Sequence, residues 1–190
     1  ARFPDGRLHL QHGPIDCIVE AWGEREEVEA AYAQVVARFR DILASLAGEL
    51  DVLRAPVGAA CPLVRGPIAK RMVAAVWPYR DSFVTPMAAV AGAVADELLQ
   101  ALLAGREIVK AYVNDGGDIA LHLGGYEPFD VGIAANPEVP TLDGELKVYP
   151  ADPVRGIATS GWRGRSQSFG IAGIGRAHGL TPVTDQSRMH

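Results

Sequence analysis

The amino-acid sequence predicts an α+β domain in which helices pack on one face of an antiparallel sheet. Alternating apolar and polar residues open the chain, apolar residues recur at helical spacing from Arg25, and short strand-like runs return after Gly105. Strands grouped before and after a block of helices favour antiparallel pairing over parallel βαβ units. The sequence contains no internal repeat, so we expect one domain over residues 1–170 and a loosely ordered tail over 171–190.

A β-hairpin is predicted at the beginning of the chain. Residues Arg7–Gln11 and Ile15–Trp22 alternate in polarity, and the turn residues His12-Gly13-Pro14 separate them. The apolar positions form one row in each strand, namely Leu8 and Leu10 in the first and Ile15, Cys17, Val19 and Ala21 in the second. We therefore expect a hairpin with one buried side.

Three helices are predicted next. The first follows apolar residues at helical spacing from Arg25 to Leu46 and ends at Ala47-Gly48. The second begins at Gly66-Pro67 and stops at Trp77, because a proline follows. The third begins with Thr85 as N-cap and Pro86 in the first helical position, and it ends at Gly105.

The third helix is apolar, but charged and polar residues interrupt the run from Met87 to Leu103 at Asp96, Glu97 and Gln100. A membrane helix needs about 20 apolar residues, so we expect a buried core helix instead. Five short strands follow, separated by turn residues: Ile108–Asn114, Ile119–Leu123, Phe129–Ala135, Glu145–Tyr149 and Gly156–Thr159.

Composition and charge narrow the class of partner. The 190 residues are 48% hydrophobic and carry a net charge of −5, without the basic stripe of a nucleic-acid surface. Residues 151–190 are locally basic, with five arginines and two aspartates, which fits a small anionic ligand. Cys17 and Cys61 have neither paired nor metal-ligand spacing. We expect a cytoplasmic protein with no metal site, no nucleic-acid partner and no membrane partner.

The first candidate site is the start of the third helix, at Thr85, Pro86 and Met87. A helix N-terminus exposes unpaired N–H groups and partial positive charge, which can hold a phosphate or a carboxylate. The following turns carry small residues that would admit a backbone or a flat ring, namely Ala88, Ala91, Gly92 and Ala95. Glycine within a helix costs about 1 kcal/mol relative to alanine. Tight packing of the helix on the sheet is the structural alternative.

The second candidate site is the turn that contains Asn114, Gly116, Gly117 and Asp118. This sequence between two strands is typical of a hairpin turn. Paired glycines also let a backbone approach a ligand, and successive N–H groups can bind an anion. Asp118 could accept from a ribose hydroxyl, bind a metal ion or only cap the turn.

The third candidate site is a glycine-rich loop after the last strand. It combines hydroxyl groups, glycine, arginine and a tryptophan, and its candidate binding residues are Thr159, Ser160, Gly161, Arg163, Arg165 and Ser166. Arginine suits bidentate recognition of phosphate or carboxylate, and Trp162 could stack on a ring. An exposed hairpin tip is the structural alternative.

These stretches together resemble an uncharacterised prokaryotic family related to ApbE. The resemblance rests on the opening Leu8-His9-Leu10-Gln11-His12-Gly13-Pro14-Ile15-Asp16 and on three later stretches, which are Thr85–Ala95, Asn114–Leu121 and Gly156–Gly161. It covers residues 5–172 and implies a T-fold-like α+β domain. It also implies binding of a flavin, FAD or FMN, since ApbE proteins bind FAD. Many of them are Mg-dependent transferases that move FMN onto a threonine of a target protein.

The sequence departs from the transferases at two places. They have a lysine in a Gly-Ala-x-Ala-Lys pattern, whereas Gly92-Ala93-Val94-Ala95 is followed here by Asp96. Their metal ligands come from a C-terminal Ala-Asp-Ala…Thr segment, and no such segment follows Gly170. We therefore expect binding of the cofactor rather than its transfer.

The leading hypothesis places the three turns around one cleft, rich in amide and guanidinium donors, that holds a flavin or a similar anionic ring cofactor. A second hypothesis is a T-fold enzyme that acts on a pterin- or purine-like ring, with Glu20 or Asp118 accepting from the N–H edge of the ring. T-folds generally bind such rings near sheet edges and subunit interfaces, so a homo-oligomer is compatible with both. A third hypothesis is a non-catalytic, oligomeric interaction module whose glycine turns are only turns.

Overall fold

The structure of the chain, a computed structural model, describes residues 1–133, 141–142 and 144–158. In this part of the chain a β-hairpin is followed by five helices and then by five further strands. The strands are β1 (Leu8–His12), β2 (Ile15–Gly23), β3 (Ile108–Asp115), β4 (Asp118–Leu123), β5 (Phe129–Ile133), β6 (Gly144–Val148) and β7 (Gly156–Ile157). The helices are α1 (Arg25–Phe39), α2 (Ile42–Ala47), α3 (Leu50–Arg54), α4 (Pro67–Val76) and α5 (Val90–Leu103).

The central sheet has five strands in the order β1-β2-β3-β4-β7, and every neighbouring pair is antiparallel. Strands β5 and β6 form a separate two-stranded sheet. This arrangement confirms the α+β class and the antiparallel sheet predicted from the sequence. The second sheet was not predicted, because the sequence shows only successive short strands and does not show which of them pair.

One face of the central sheet carries the helices and the main core. The register places Leu8 opposite Val19 and Leu10 opposite Cys17, so the two apolar rows lie on the same buried face. Helix α5 packs across β3 and β4 and against α1 and α4. Its side chains Val94, Leu98 and Leu102 are inaccessible to solvent, and each contributes about 1.5–3 kcal/mol through burial of its apolar surface.

The β5–β6 hairpin covers part of the opposite face. Leu121 and Leu123 of β4 pack there with Phe129 and Val148 in a second, smaller apolar cluster. The Lys110 ammonium lies 4.9 Å from the ring centroid of Trp22 and 4.7 Å from that of Phe129. It also donates to the carbonyl oxygen of Pro128 at 3.2 Å. These contacts attach the hairpin to the sheet.

The prediction of one continuous helix from Arg25 to Leu46 is wrong. It ends at Phe39, and α2 begins at Ile42 after a break at Arg40 and Asp41. Apolar residues keep a helical spacing across the break, and therefore periodicity alone cannot distinguish two short helices from one long helix. Helix α3 was not predicted.

Among the described residues, one helical segment, Pro86–Leu103, is long and apolar enough to cross a membrane by length and composition. In this structure its α-helical part is the core helix α5, as the polar interruptions indicated. Six of its side chains are buried against the rest of the domain: Ala93, Val94, Ala95, Leu98, Leu99 and Leu102.

Candidate functional site

A cavity of about 630 Å³ lies at one end of the central sheet, on its helix face. Four parts of the chain enclose it: the β1–β2 turn, helices α2 and α3, the start of α5, and the β3–β4 turn. The apolar residues of its wall are Ile15, Leu43, Leu46, Leu50, Leu53, Met87, Val90 and Val94. Asp16, Asp115, Asp118 and Arg54 are the charged residues of the described lining.

The β3–β4 turn contributes Asp115, Gly116 and Asp118 to the cavity. Gly116 has a φ of 63° and Gly117 a φ of 106°, values that only glycine adopts without strain. The side-chain oxygen of Asn114 accepts from the Gly117 N–H at 2.8 Å and so supports the turn. Of the four residues predicted here, Gly116 and Asp118 line the cavity, whereas Asn114 and Gly117 do not.

Asp115 is the buried charged residue of the described part of the chain, with 8% of its surface exposed. Burial, together with the nearby charges of Asp118 and Asp16, raises the pKa of this carboxyl to about 6. The backbone N–H of Asp16 and the thiol of Cys17 are its hydrogen-bonding neighbours and lower its pKa in part. Burial also raises the pKa of the Cys17 thiol.

Sequence reasoning did not select Asp115, although a signal for it exists. Ala111 and Val113 are buried on the helix face, and Asp115 continues this alternation by one step. A carboxylate at a core-facing position of a strand is unusual enough to indicate a functional group.

The start of the third predicted helix differs from the prediction. Thr85 is extended and its side chain makes no capping hydrogen bond; Pro86–Ala89 form a 3-10 turn, and the α-helix begins at Val90. The Ala88 N–H donates to the Thr85 carbonyl at 3.0 Å within the 3-10 turn. This N–H group, which the sequence predicted to be available to a ligand, is therefore already hydrogen-bonded. Met87 lines the cavity, whereas Thr85 and Pro86 do not.

The described residues leave room for a side chain at Gly92. A β-carbon at this position would lie 3.9 Å from Oδ2 of Asp118, an ordinary contact distance. The helix therefore does not need glycine here in order to pack against the described residues. One turn further along α5, burial raises the pKa of Asp96 to about 6, while the charge of Arg71 lowers it in part.

The β1–β2 turn and helices α2 and α3 were not predicted to contribute to the site. Gln11, Gly13 and Pro14 line the cavity from the turn. Gly13 has a φ of 59°, and a β-carbon there would lie 3.1 Å from Cδ2 of Leu43 in α2. This close approach brings α2 over the hairpin, a tertiary contact that no local pattern in the sequence indicates.

Two further acidic residues, Asp16 and Glu20, occupy alternate positions of β2 that face away from the helices, although Asp16 also borders the cavity. The Asp16 carboxylate is 2.8 Å from Nε2 of His9, and the strand alternation places both on the sheet face opposite the helices. Glu20 is paired in register with Tyr112 and does not line the cavity. Asp115 and Asp118 are therefore the carboxyl groups that the described residues direct to the cavity from the sheet.

The third predicted site, comprising Thr159, Ser160, Gly161, Arg163, Arg165 and Ser166, lies outside the described residues. Strand β7 pairs antiparallel with β4, with Gly156 opposite Ala120 and Ile157 opposite Ile119. The chain is therefore directed towards the Asp118 end of β4 where the described part ends, at Ala158.

The described lining is acidic on balance, whereas the sequence predicted a cleft rich in amide and guanidinium donors. Arg54 is the basic residue of this described lining. The two arginines predicted for this role, Arg163 and Arg165, lie outside the described part of the chain. Among the described residues, no three His, Cys, Asp or Glu side chains form a group that could hold a metal ion.

Comparison with known proteins gives one family. The family model described as AbpE bacteria matches residues 1–174, nearly the whole chain. A UPF0280 protein from Methanothrix thermoacetophila is 40% identical over 110 residues. The matched stretch is 57% of this chain and 43% of that relative, so this chain spans less than half of the relative's length. Both findings support the resemblance to a prokaryotic ApbE-related family.

Proposed function

Because this chain belongs to the AbpE bacteria family, we propose that its cavity binds a flavin ring. The observation that carries the proposal is the cavity itself. Its volume of about 630 Å³ lies within the range of pockets that enclose small cofactors. Two of the three turns selected from the sequence, at Met87 and at Gly116–Asp118, border it.

The chemistry of the lining fits a flat, mostly apolar ring with one polar edge. Leu43, Leu50 and Val90 are partly exposed and offer apolar surface for the ring faces. Ala88 and Ala91 are small, so a ring can approach the start of α5 closely. The carboxyl groups of Asp115 and Asp118 can accept from, or donate to, a polar ring edge.

A bound flavin also carries a flexible, anionic side chain in its FMN and FAD forms. Arg54 is the described residue whose charge suits a phosphate group. When bound, the flavin supplies redox chemistry or, as in transferases related to ApbE, the FMN group that is moved. We propose binding rather than transfer, because Asp96 stands where those transferases have lysine.

Fluorescence titration tests the proposal. Riboflavin, FMN and FAD are each titrated with ligand-free protein, and we expect their emission to be quenched on binding. In Ala88→Phe, a ring fills the cavity and should abolish quenching. Ala75→Phe makes the same change at an exposed position of α4, away from the cavity lining, and should retain quenching. If none of the three flavins is quenched by high-micromolar wild-type protein, the proposal is wrong.

A second candidate function is binding of a pterin- or purine-like ring. The pair of carboxyl groups at Asp115 and Asp118 favours it, because an ionised carboxylate accepts well from two adjacent N–H donors. A melting-temperature screen separates the candidates: pterins and not flavins should raise the melting temperature if this function is the correct one.

A further inference from the structure

Asp115 and Asp118 form a cross-strand pair at the end of the β3–β4 hairpin. They are register partners across the turn, so their side chains leave the sheet on the same face. Directly opposed residues have β-carbons about 4.5–5.5 Å apart, and like charges at such positions repel each other. Both residues line the cavity.

The surroundings of Asp115 contain little that would neutralise its charge. From β2, the backbone N–H of Asp16 and the thiol of Cys17 face it, and the negative charges of the Asp16 carboxylate on β2 and the Asp118 carboxylate on β4 act on it. The cavity-lining residues of α2 and of the start of α5 are apolar or small. His12, the last residue of β1, packs near the ring of Phe39. Arg54 on α3 is the cation of this lining, while Asp96 on α5 lies outside it.

We propose that Asp115 and Asp118 share one proton when a ligand is bound, and that this pair recognises a ring edge on which a carbonyl stands beside an N–H. The protonated carboxyl donates to the ring carbonyl, and the ionised carboxylate accepts from the ring N–H. This inference rests on the proposed function, since the flavin pyrimidine ring has such an edge. One proton is taken up from solvent for each ligand bound by the fully ionised pair.

A fully ionised pair would recognise a different edge. Two carboxylates offer acceptors only, so they repel the ring carbonyl of a flavin. A ring with two adjacent N–H donors, as in pterin, would instead prefer this form. Flavin and pterin binding should therefore depend on pH in opposite directions. Because burial raises the pKa of Asp115 to about 6, the change in ligand preference should fall within the pH range in which binding is measured.

The experiment measures riboflavin affinity by fluorescence quenching between pH 5 and pH 8. Riboflavin is used because the phosphate of FMN itself titrates near pH 6. Since only the singly protonated pair binds well, the dissociation constant should fall about tenfold per pH unit from pH 8 towards pH 6 and then level off. Riboflavin methylated at the ring N–H, which lacks the donor, should bind weakly at every pH.

Two matched variants test the assignment. Asp115→Asn offers a donor at every pH, so its affinity for riboflavin should be independent of pH and equal to that of the wild type at pH 5. Asp96→Asn makes the same change at a carboxyl whose pKa burial also raises to about 6, outside the cavity lining. This variant should keep the wild-type pH profile.

The outcomes separate the two proposals. Riboflavin affinity that does not change between pH 5 and pH 8, or an Asp115→Asn variant with the wild-type profile, overturns proton sharing and leaves flavin binding intact. Tighter riboflavin binding at pH 8 also overturns it. Absence of quenching at every pH, in both the wild type and Asp115→Asn, overturns flavin binding and this inference with it. If Asp115→Asn does not fold, the wild-type pH profile and the methylated ligand decide.

Discussion

Glu97 is a half-buried carboxylate and Asp115 a buried one, and their surroundings in this domain are opposite in charge. Glu97 on α5 lies between two arginines, with oxygens 2.8 Å from Nε of Arg38 and 2.9 Å from Nη1 of Arg71. Burial alone would raise its pKa, but the hydrogen bonds from both arginines outweigh burial and lower it. Asp115 is more deeply buried, its register partner Asp118 is another carboxylate, and its pKa is raised.

The difference separates a role in stability from a role in function. A carboxylate that stabilises the fold has donors arranged around it, and its ionised form is favoured. A buried carboxylate beside a like charge lowers stability at neutral pH, and such groups concentrate at functional sites. Substitution of these two carboxylates should therefore shift stability in opposite directions.

Replacement of Asp115 by asparagine should stabilise the ligand-free protein at pH 8. The folded-state pKa is about 6 against an ordinary value of 3.8 for aspartate, so ionisation costs up to about 3 kcal/mol of folding free energy. This cost is present above pH 6, shrinks as the pH falls through 6, and disappears below pH 4. Urea unfolding of both proteins at pH 8 and pH 4 measures it. A variant less stable than the wild type at pH 8 would contradict the contrast.

Replacement of Glu97 by glutamine should destabilise the protein by about 2 kcal/mol at pH 7, because Arg38 and Arg71 lose their common carboxylate. The lowered pKa of Glu97 means that its stabilising effect is present above the unfolded-state value of 4.5 and is lost as the pH falls through the folded-state value. The stability difference between wild type and variant should therefore narrow in acid. The difference for Asp115→Asn should narrow in acid as well, but there the variant is the more stable protein. Urea unfolding at pH 7 and pH 3 checks the sign.

Glu49 provides a second partnered carboxylate, near the surface. Its oxygens accept from the backbone N–H groups of Arg65 at 2.6 Å and Gly66 at 2.8 Å, just before α4. These backbone hydrogen bonds lower the pKa of Glu49. Replacement by alanine should cost about 1 kcal/mol, as the loss of a helix cap does. Thermal unfolding measures this cost, and an unchanged melting temperature would show that the bonds contribute nothing.

Replacement of Gly92 by alanine should stabilise the ligand-free protein by up to about 1 kcal/mol, because the added β-carbon meets Oδ2 of Asp118 only at 3.9 Å. If the space beside Asp118 serves a ligand, the same change should weaken riboflavin binding. Unfolding and fluorescence titration of one variant therefore separate packing from binding. A loss of stability would show that the helix needs glycine for packing.

Local patterns in the sequence predicted most of the fold and part of the site. The hairpin, α4, α5 and the strands after Gly105 follow from alternation, helical spacing and turn residues. The Gly116-Gly117 turn was identified because its conformation depends on two adjacent glycines. The break at Arg40 and the 3-10 turn at Pro86 were missed, since neither changes the spacing of apolar residues. The part of the cavity wall formed by α2 and α3 depends on long-range packing, and that has no local signature.

The register of the β3–β4 hairpin has a consequence for how this cavity could diversify. The distance between positions 115 and 118 is set by main-chain hydrogen bonds and by two glycines, not by the side chains that the two positions carry. Exchange of either aspartate for asparagine, serine or glutamate would change which donors and acceptors the cavity selects on a ligand ring, while the backbone of the turn stays the same. Relatives with this turn could thus acquire new ligands through single substitutions, without rebuilding the backbone.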